Sequence, residues 1–257
     1  MKTAHDILAL IHVPLGFAAL TLFWVAISSR KGGRVHLASG RWFARAVYGI
    51  CASAVLMSLA TLQDPLGIAA PGRTLTPVQA TAIVDASRAS SFFLMFLTLV
   101  SLATTRHGVM VVRTRRDPYA IRTPAHIGLS VVTLLSGFGM VVYALALPGS
   151  NAGLFYAMSP LGFIVGGINL HHLARPAREP RAWFFEHIGA MIGGGIAVHT
   201  AFLVLGLNRL VDLGLSGGAA FIPWVAPTIL GLPAIFFFSR HYRKKFAGVG
   251  GREGPPA

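Results

Sequence analysis

Apolar residues fill this chain in runs close to the ~20 that a helix needs to cross a bilayer, parted by short polar stretches. The runs cover 7–27, 44–62, 89–104, 126–147, 152–170, 187–207 and 219–238. The second closes at Asp64-Pro65, and the third is entered through an amphipathic stretch whose helix starts near Pro77. This alternation predicts an all-α fold, an integral membrane bundle of seven transmembrane helices forming one domain over 1–247, with a disordered cytoplasmic tail over 248–257. No stretch is long enough to serve as an interdomain linker, and no internal repeat stands out. Ser-Arg-Lys-Gly-Gly-Arg follows the first run at once, whereas a cleavable signal peptide carries its positive charge ahead of the apolar core. The first helix is therefore expected to stay in the mature protein.

The sixth run carries the most unusual pattern. Gly189, Gly193, Ala197 and Ala201 recur every fourth residue and make one smooth ridge on a helix, which predicts a central place in the bundle or a surface for a membrane-protein partner. His199 lies mid-span and off that ridge, and an ionisable side chain at such depth is a functional candidate because leaving it unpaired in hydrocarbon is costly. In the fifth run, Pro160 with Gly162, Gly166 and Gly167 after it marks a kink or a close helix approach.

Composition agrees with a membrane protein, since 54% of the 257 residues are hydrophobic and 12% charged. The net charge of +14 is topological. If the loops after runs one, three and five share a side with the C-terminus, 18 of the 22 Lys and Arg residues gather there, against Lys2, Arg73, Arg88 and Arg209 opposite. Basic short loops stay in the cytoplasm, which predicts the N-terminus outside and the C-terminus cytoplasmic in a bacterial inner membrane. Nucleic acid is not an expected partner, because the basic residues form no soluble face. Cys51 lies in an apolar run and has no second cysteine to pair with. Carboxylates are nearly absent from the spans, which disfavours a proton-driven pump. Neither a Walker loop nor an H-E-x-x-H pair occurs.

The ten histidines carry the candidate chemistry. Counted from the span ends, His12 and His199 fall at similar depths, and Gly16 and Gly195 each lie one turn from them. Such a pair could hold haem b between helices through axial imidazoles, or a bare metal ion, or simply be hydrogen-bonded to neighbouring helices. A second group gathers at the basic end: His36 and His107 in loops, His126 opening the fourth span, His171 and His172 closing the fifth, and Glu186-His187 opening the sixth. His126 and His187 are the candidates for an inner haem pair or a quinone-head pocket, and His187 joins His12 and His199 as a candidate iron ligand. The simpler account is that these interfacial side chains face lipid headgroups and one another.

Lys31 to Arg41, KGGRVHLASGR, resembles the first inner loop of a family of uncharacterised bacterial multi-pass membrane proteins that reads K-G-G-x-x-H-x-x-x-G-R. Trp183, His187-Ile188, Met191, Ile196-Ala197 and Thr200-Ala201-Phe202 are similar to that family's W…HI-x-x-M-x-G-x-x-IA-x-x-TAF span, and Trp224, Pro227 and Gly231 to its W-x-x-P-x-x-x-G helix. The resemblance implies topology and no activity. It matches His36, Gly40, Arg41, His187 and Met191 to motif positions, and places His199 at a variable one.

The leading expectation is a haem b protein that exchanges electrons with membrane quinone. The alternatives are a non-enzymatic subunit or assembly partner that packs through the Gly189/Gly193/Ala197/Ala201 ridge, and a small-solute carrier using the Pro160 kink.

Overall fold

The computed structural model describes residues 1–146, 152–175, 181–211, 214, 219 and 221–250. Its elements in chain order are α1 (Lys2–Ser28), α2 (Arg34–Gln63), the short α3 (Pro65–Ala69), α4 (Pro77–Arg113), α5 (Pro124–Ala146), α6 (Ala152–Ala174), α7 (Ala182–Ala201), α8 (Leu207–Leu210) and α9 (Ile222–Gly250). A one-turn 3-10 helix, Pro118–Ile121, precedes α5, and a π-helical turn, Phe202–Gly206, joins α7 to α8. Among the described residues there is no strand, and seven helices are long and apolar enough to cross a membrane. They correspond one to one with the seven apolar runs.

The helices outrun the apolar stretches that announced them. α2 starts at Arg34 rather than 44, and α4 continues to Arg113 rather than 104. Helical backbone satisfies its own polar groups, so it need not stop where the hydrocarbon ends. The last helix starts at Ile222 and takes in residues 248–250, the beginning of the expected tail; 251–257, Leu147 and Ala220 lie outside the described residues. Local chemistry fixes the starts. Pro77 opens α4 behind a capping box in which the Thr76 hydroxyl accepts from Gln79 N–H at 3.3 Å and the Gln79 amide oxygen accepts from Thr76 N–H at 3.0 Å. Asp64 likewise accepts from Gly67 N–H at 3.0 Å to start α3.

α1 and α2 form one hairpin and α5 and α6 another, while α4 touches α2, α5, α6 and α7 and is the hub. The sixth span was expected at the centre, yet α7 buries only Ile192, Gly194 and Gly195 among its described residues. The reason is its rotation. The predicted ridge is used only in part: a Cβ at Gly193 would lie 3.3 Å from Thr104 Cγ2 of α4, whereas a side chain at Gly189 would meet nothing within 4 Å, and Ala201 is exposed. The closer approaches use the neighbouring positions. The ring of Phe23 fills the space at Gly195, Thr105 Oγ1 stands 3.0 Å from where a Gly194 Cβ would be, and Met191 fills the space at Gly108 of α4.

The expected close approach in the fifth span is present. A Cβ at Gly162 would lie 2.7 Å from the backbone N of Gly137, and one at Gly166 would lie 2.5 Å from that of Leu134, so α5 and α6 pack backbone to backbone. Two apolar cores flank the hub. One joins Phe93 and Phe96 of α4 to Met140 and Phe155, and the other joins Ala19, Phe43, Val47 and Cys51 of α1 and α2, with Met191 of α7 against it.

Candidate metal centre

Four helices bring polar side chains to one end of the bundle. α4 carries His107 two turns before its end, α5 carries His126 in its first turn, α6 carries His172 in its last, and α7 carries Glu186 in its second. Arg122 holds two of these ends together: its Nε donates to the Leu173 carbonyl at 2.7 Å and its Nη2 to Ala174 at 2.9 Å, so the start of α5 is tied to the open carbonyls that end α6. Ile121, next to Arg122 in the chain, packs with Val111 of α4 and Leu173 of α6.

The four side chains form a chain of contacts. His126 Nε2 and His107 Nδ1 are 3.2 Å apart with the rings stacked at 10°; His107 Nε2 is 3.5 Å from Glu186 Oε2, and His172 Nδ1 is 3.6 Å from Glu186 Oε1. His107 and His126 are 1% and 0% exposed, His172 8%, and only Glu186, with its side chain 34% exposed, reaches the outside. The simpler expectation was that these side chains face lipid headgroups and one another; His107, His126 and His172 are buried and face one another.

The contacts are well placed but not closed. His107 Nε2 and His126 Nδ1 are buried without a hydrogen-bond partner, as is Thr105 Oγ1 nearby on α4. A buried polar atom without a partner costs ~1–3 kcal/mol, so two such imidazole nitrogens in one cluster are not incidental. The 3.5 and 3.6 Å gaps are long for charge-assisted hydrogen bonds, which run ~2.7–2.9 Å, but they match the ~3.4 Å edge of a tetrahedron of ligands ~2.1 Å from a metal ion. One ligand atom each from His107, His172 and Glu186 lies within 4.8 Å of the others. Two imidazoles and one carboxylate suit zinc or iron(II), and His126 stands behind His107 as the outer partner that fixes its tautomer.

A second pair adjoins this cluster. His36 Nδ1–H donates to the Ala26 carbonyl at the end of α1, and His187 Nδ1–H to the Gly108 carbonyl of α4, both at 2.9 Å. Their ring centres are 6.4 Å apart. The histidines of the two motif stretches, 151 positions apart in the chain, thus come together. Lys31 in the α1–α2 loop closes this corner, donating to the carbonyls of Ala26, Ile27 and Ser29; burial pushes its ammonium pKa below the usual lysine value.

The other expected pairs are not brought together. His126 stacks on His107, whereas His187 meets His36. His199 donates through Nδ1–H to the Gly195 carbonyl at 2.7 Å and accepts from Trp24 Nε1–H at 3.0 Å, so both its nitrogens have protein partners. His12 Nδ1 is 2.8 Å from Ser53 Oγ. Twelve residues of α1 separate His12 from Trp24, about 18 Å of helix, and the His199 ring is 5.8 Å from that of Trp24, which leaves His12 and His199 on the order of 10 Å apart. Depth counted at Cα misled here because side chains lean toward their own helix start, and these two helices run in opposite directions. Gly195 offers no slot for a macrocycle because Phe23 occupies it, and Gly16 faces open space.

The sequence carries a signal for a buried His107 in the spacing of its neighbours on α4. Ala103, His107 and Val111 are all buried at four-residue spacing, so the inward face of α4 continues through Arg106 past the end of the apolar run. Comparison with protein-family models, with curated proteins and with solved structures finds no match, so the centre is read from its own geometry.

Proposed function

We propose that this chain is a multi-pass protein of the bacterial cytoplasmic membrane, N-terminus outside, that holds a divalent transition-metal ion at its cytoplasmic end through His107, His172 and Glu186. The observation that carries the reading is the buried His107 Nε2, which lacks a hydrogen bond yet lies 3.5 Å from the Glu186 carboxylate. A divalent ion between them gives the imidazole lone pair and the carboxylate a common partner, within a set of ligand atoms that lie no more than 4.8 Å apart. Three protein ligands leave a coordination position open, the composition of a site that works on a further ligand rather than one that only staples the fold. The orientation rests on the asymmetry of Lys and Arg between the two ends.

The test is a titration of detergent-purified, chelator-stripped protein with Co²⁺, read by its visible ligand-field bands and by metal analysis. One equivalent is expected in the wild type and in His199→Ala. His172→Ala and Glu186→Gln are expected to bind at least tenfold more weakly, with Glu186→Gln nearly isosteric so that the fold is kept. Wild-type protein that takes up no Co²⁺ or Zn²⁺, or variants that bind as the wild type does, would overturn the reading. A reduced-minus-oxidised spectrum of the same preparation decides the haem b expectation, since a stoichiometric α-band would move the assignment to a cytochrome.

A further inference from the structure

We infer that His36 and His187, with Met191, form a second and chemically different site, one for a soft monovalent metal ion, copper(I). The inference is independent of the divalent centre. Both imidazoles donate Nδ1–H to main-chain carbonyls, Ala26 on one side and Gly108 on the other. That fixes the tautomer of each neutral ring and leaves Nε2 as a lone pair on both. Two such lone pairs on neighbouring rings make a ligand set for a cation. A linear N–metal–N bridge with bonds of roughly 2 Å, and about 1.2 Å from nitrogen to ring centre, places the ring centres about 6.4 Å apart. The observed separation is 6.4 Å.

The surroundings select the charge. No carboxylate is paired with either ring among the described residues, because Glu186 on the same helix turns to His107 and His172. The ammonium of Lys31 lies near enough to act electrostatically on His187. Neutral ligands beside a positive charge disfavour a divalent ion and tolerate a monovalent one. Met191 stands one turn after His187 on the same face of α7, its thioether packed against Gly108, the residue whose carbonyl holds His187. Imidazole with thioether is a soft ligand set, which copper(I) takes and zinc does not prefer.

Copper(I) presented anaerobically as its bicinchoninate complex tests this directly, since withdrawal of the metal by the protein bleaches the complex. The wild type is expected to withdraw one equivalent, Met191→Leu to bind at least tenfold more weakly, and His36→Gln and His187→Gln to withdraw none. The glutamine amides can still donate to the Ala26 and Gly108 carbonyls, and an unchanged gel-filtration profile and helical circular dichroism certify the fold. Glu186→Gln is expected to keep copper(I) while losing Co²⁺, so the two sites fail separately. Wild-type protein that leaves the complex coloured, or histidine variants that bleach it as the wild type does, would overturn the inference.

Discussion

Replacing Gly166 by alanine puts a methyl group where α6 meets the backbone of α5. The added Cβ would stand 2.5 Å from Leu134 N, 2.6 Å from its Cβ and 2.7 Å from its Cα, against ordinary contact from 3.4 Å. Two of those atoms are backbone, so no rotamer change relieves the clash and the helices must part by about 0.9 Å. Overpacking of this kind costs ~1–3 kcal/mol. Alanine also favours helix over glycine by ~1 kcal/mol, and Gly167→Ala isolates that gain because its Cβ would meet nothing within 4 Å. The two variants should therefore differ by ~1–3 kcal/mol, or roughly 2–12 °C in melting temperature for a chain of this size. Intrinsic tryptophan fluorescence during heating in detergent measures it. His172 lies six residues further along the same helix, so Gly166→Ala should also weaken Co²⁺ binding while Gly167→Ala does not. A Gly166→Ala protein that melts with or above Gly167→Ala would refute the backbone contact on which this rests.

Three further outcomes follow from the described geometry. His126→Leu should weaken Co²⁺ binding by ~10–100-fold although His126 is no ligand, because it removes the partner that orients His107; metal titration checks this, and unchanged affinity would deny His126 that role. Thr76→Ala should lower stability by ~1 kcal/mol through loss of the capping box, read by thermal unfolding, with no change in Co²⁺ affinity. A fluorescent-protein fusion at the C-terminus should fold and glow, and one at the N-terminus should not; the reverse pattern would invert the proposed orientation.

The helix count was legible because a ~20-residue apolar run is set by membrane thickness and needs no tertiary information. A close helix approach at Gly162 and Gly166 was legible too, as the alternative to a kink, though not that α5 is the partner. What neighbours each histidine meets was not. Periodicity identifies the face of a helix but neither its azimuth nor its axial slide against another. The ridge on α7 and the His12–His199 pairing both turn on those two quantities. His107 was placed in a loop because Arg106 and His107 end the apolar run, yet α4 continues as helix past both and keeps His107 inside. The site thus lies where hydropathy stops being a guide, at the helix ends.

Glu186 and His187 are adjacent on α7, and neighbouring residues on an α-helix point about 100° apart. One reaches toward His107 and His172, the other donates to the Gly108 carbonyl. Turning α7 about its axis to shorten one contact lengthens the other, so the two act as a pair of stops that define a single azimuth. The rotational position of α7 is thus held by two polar side chains in its first turns together with the close approaches at Met191, Gly194 and Gly195 further along.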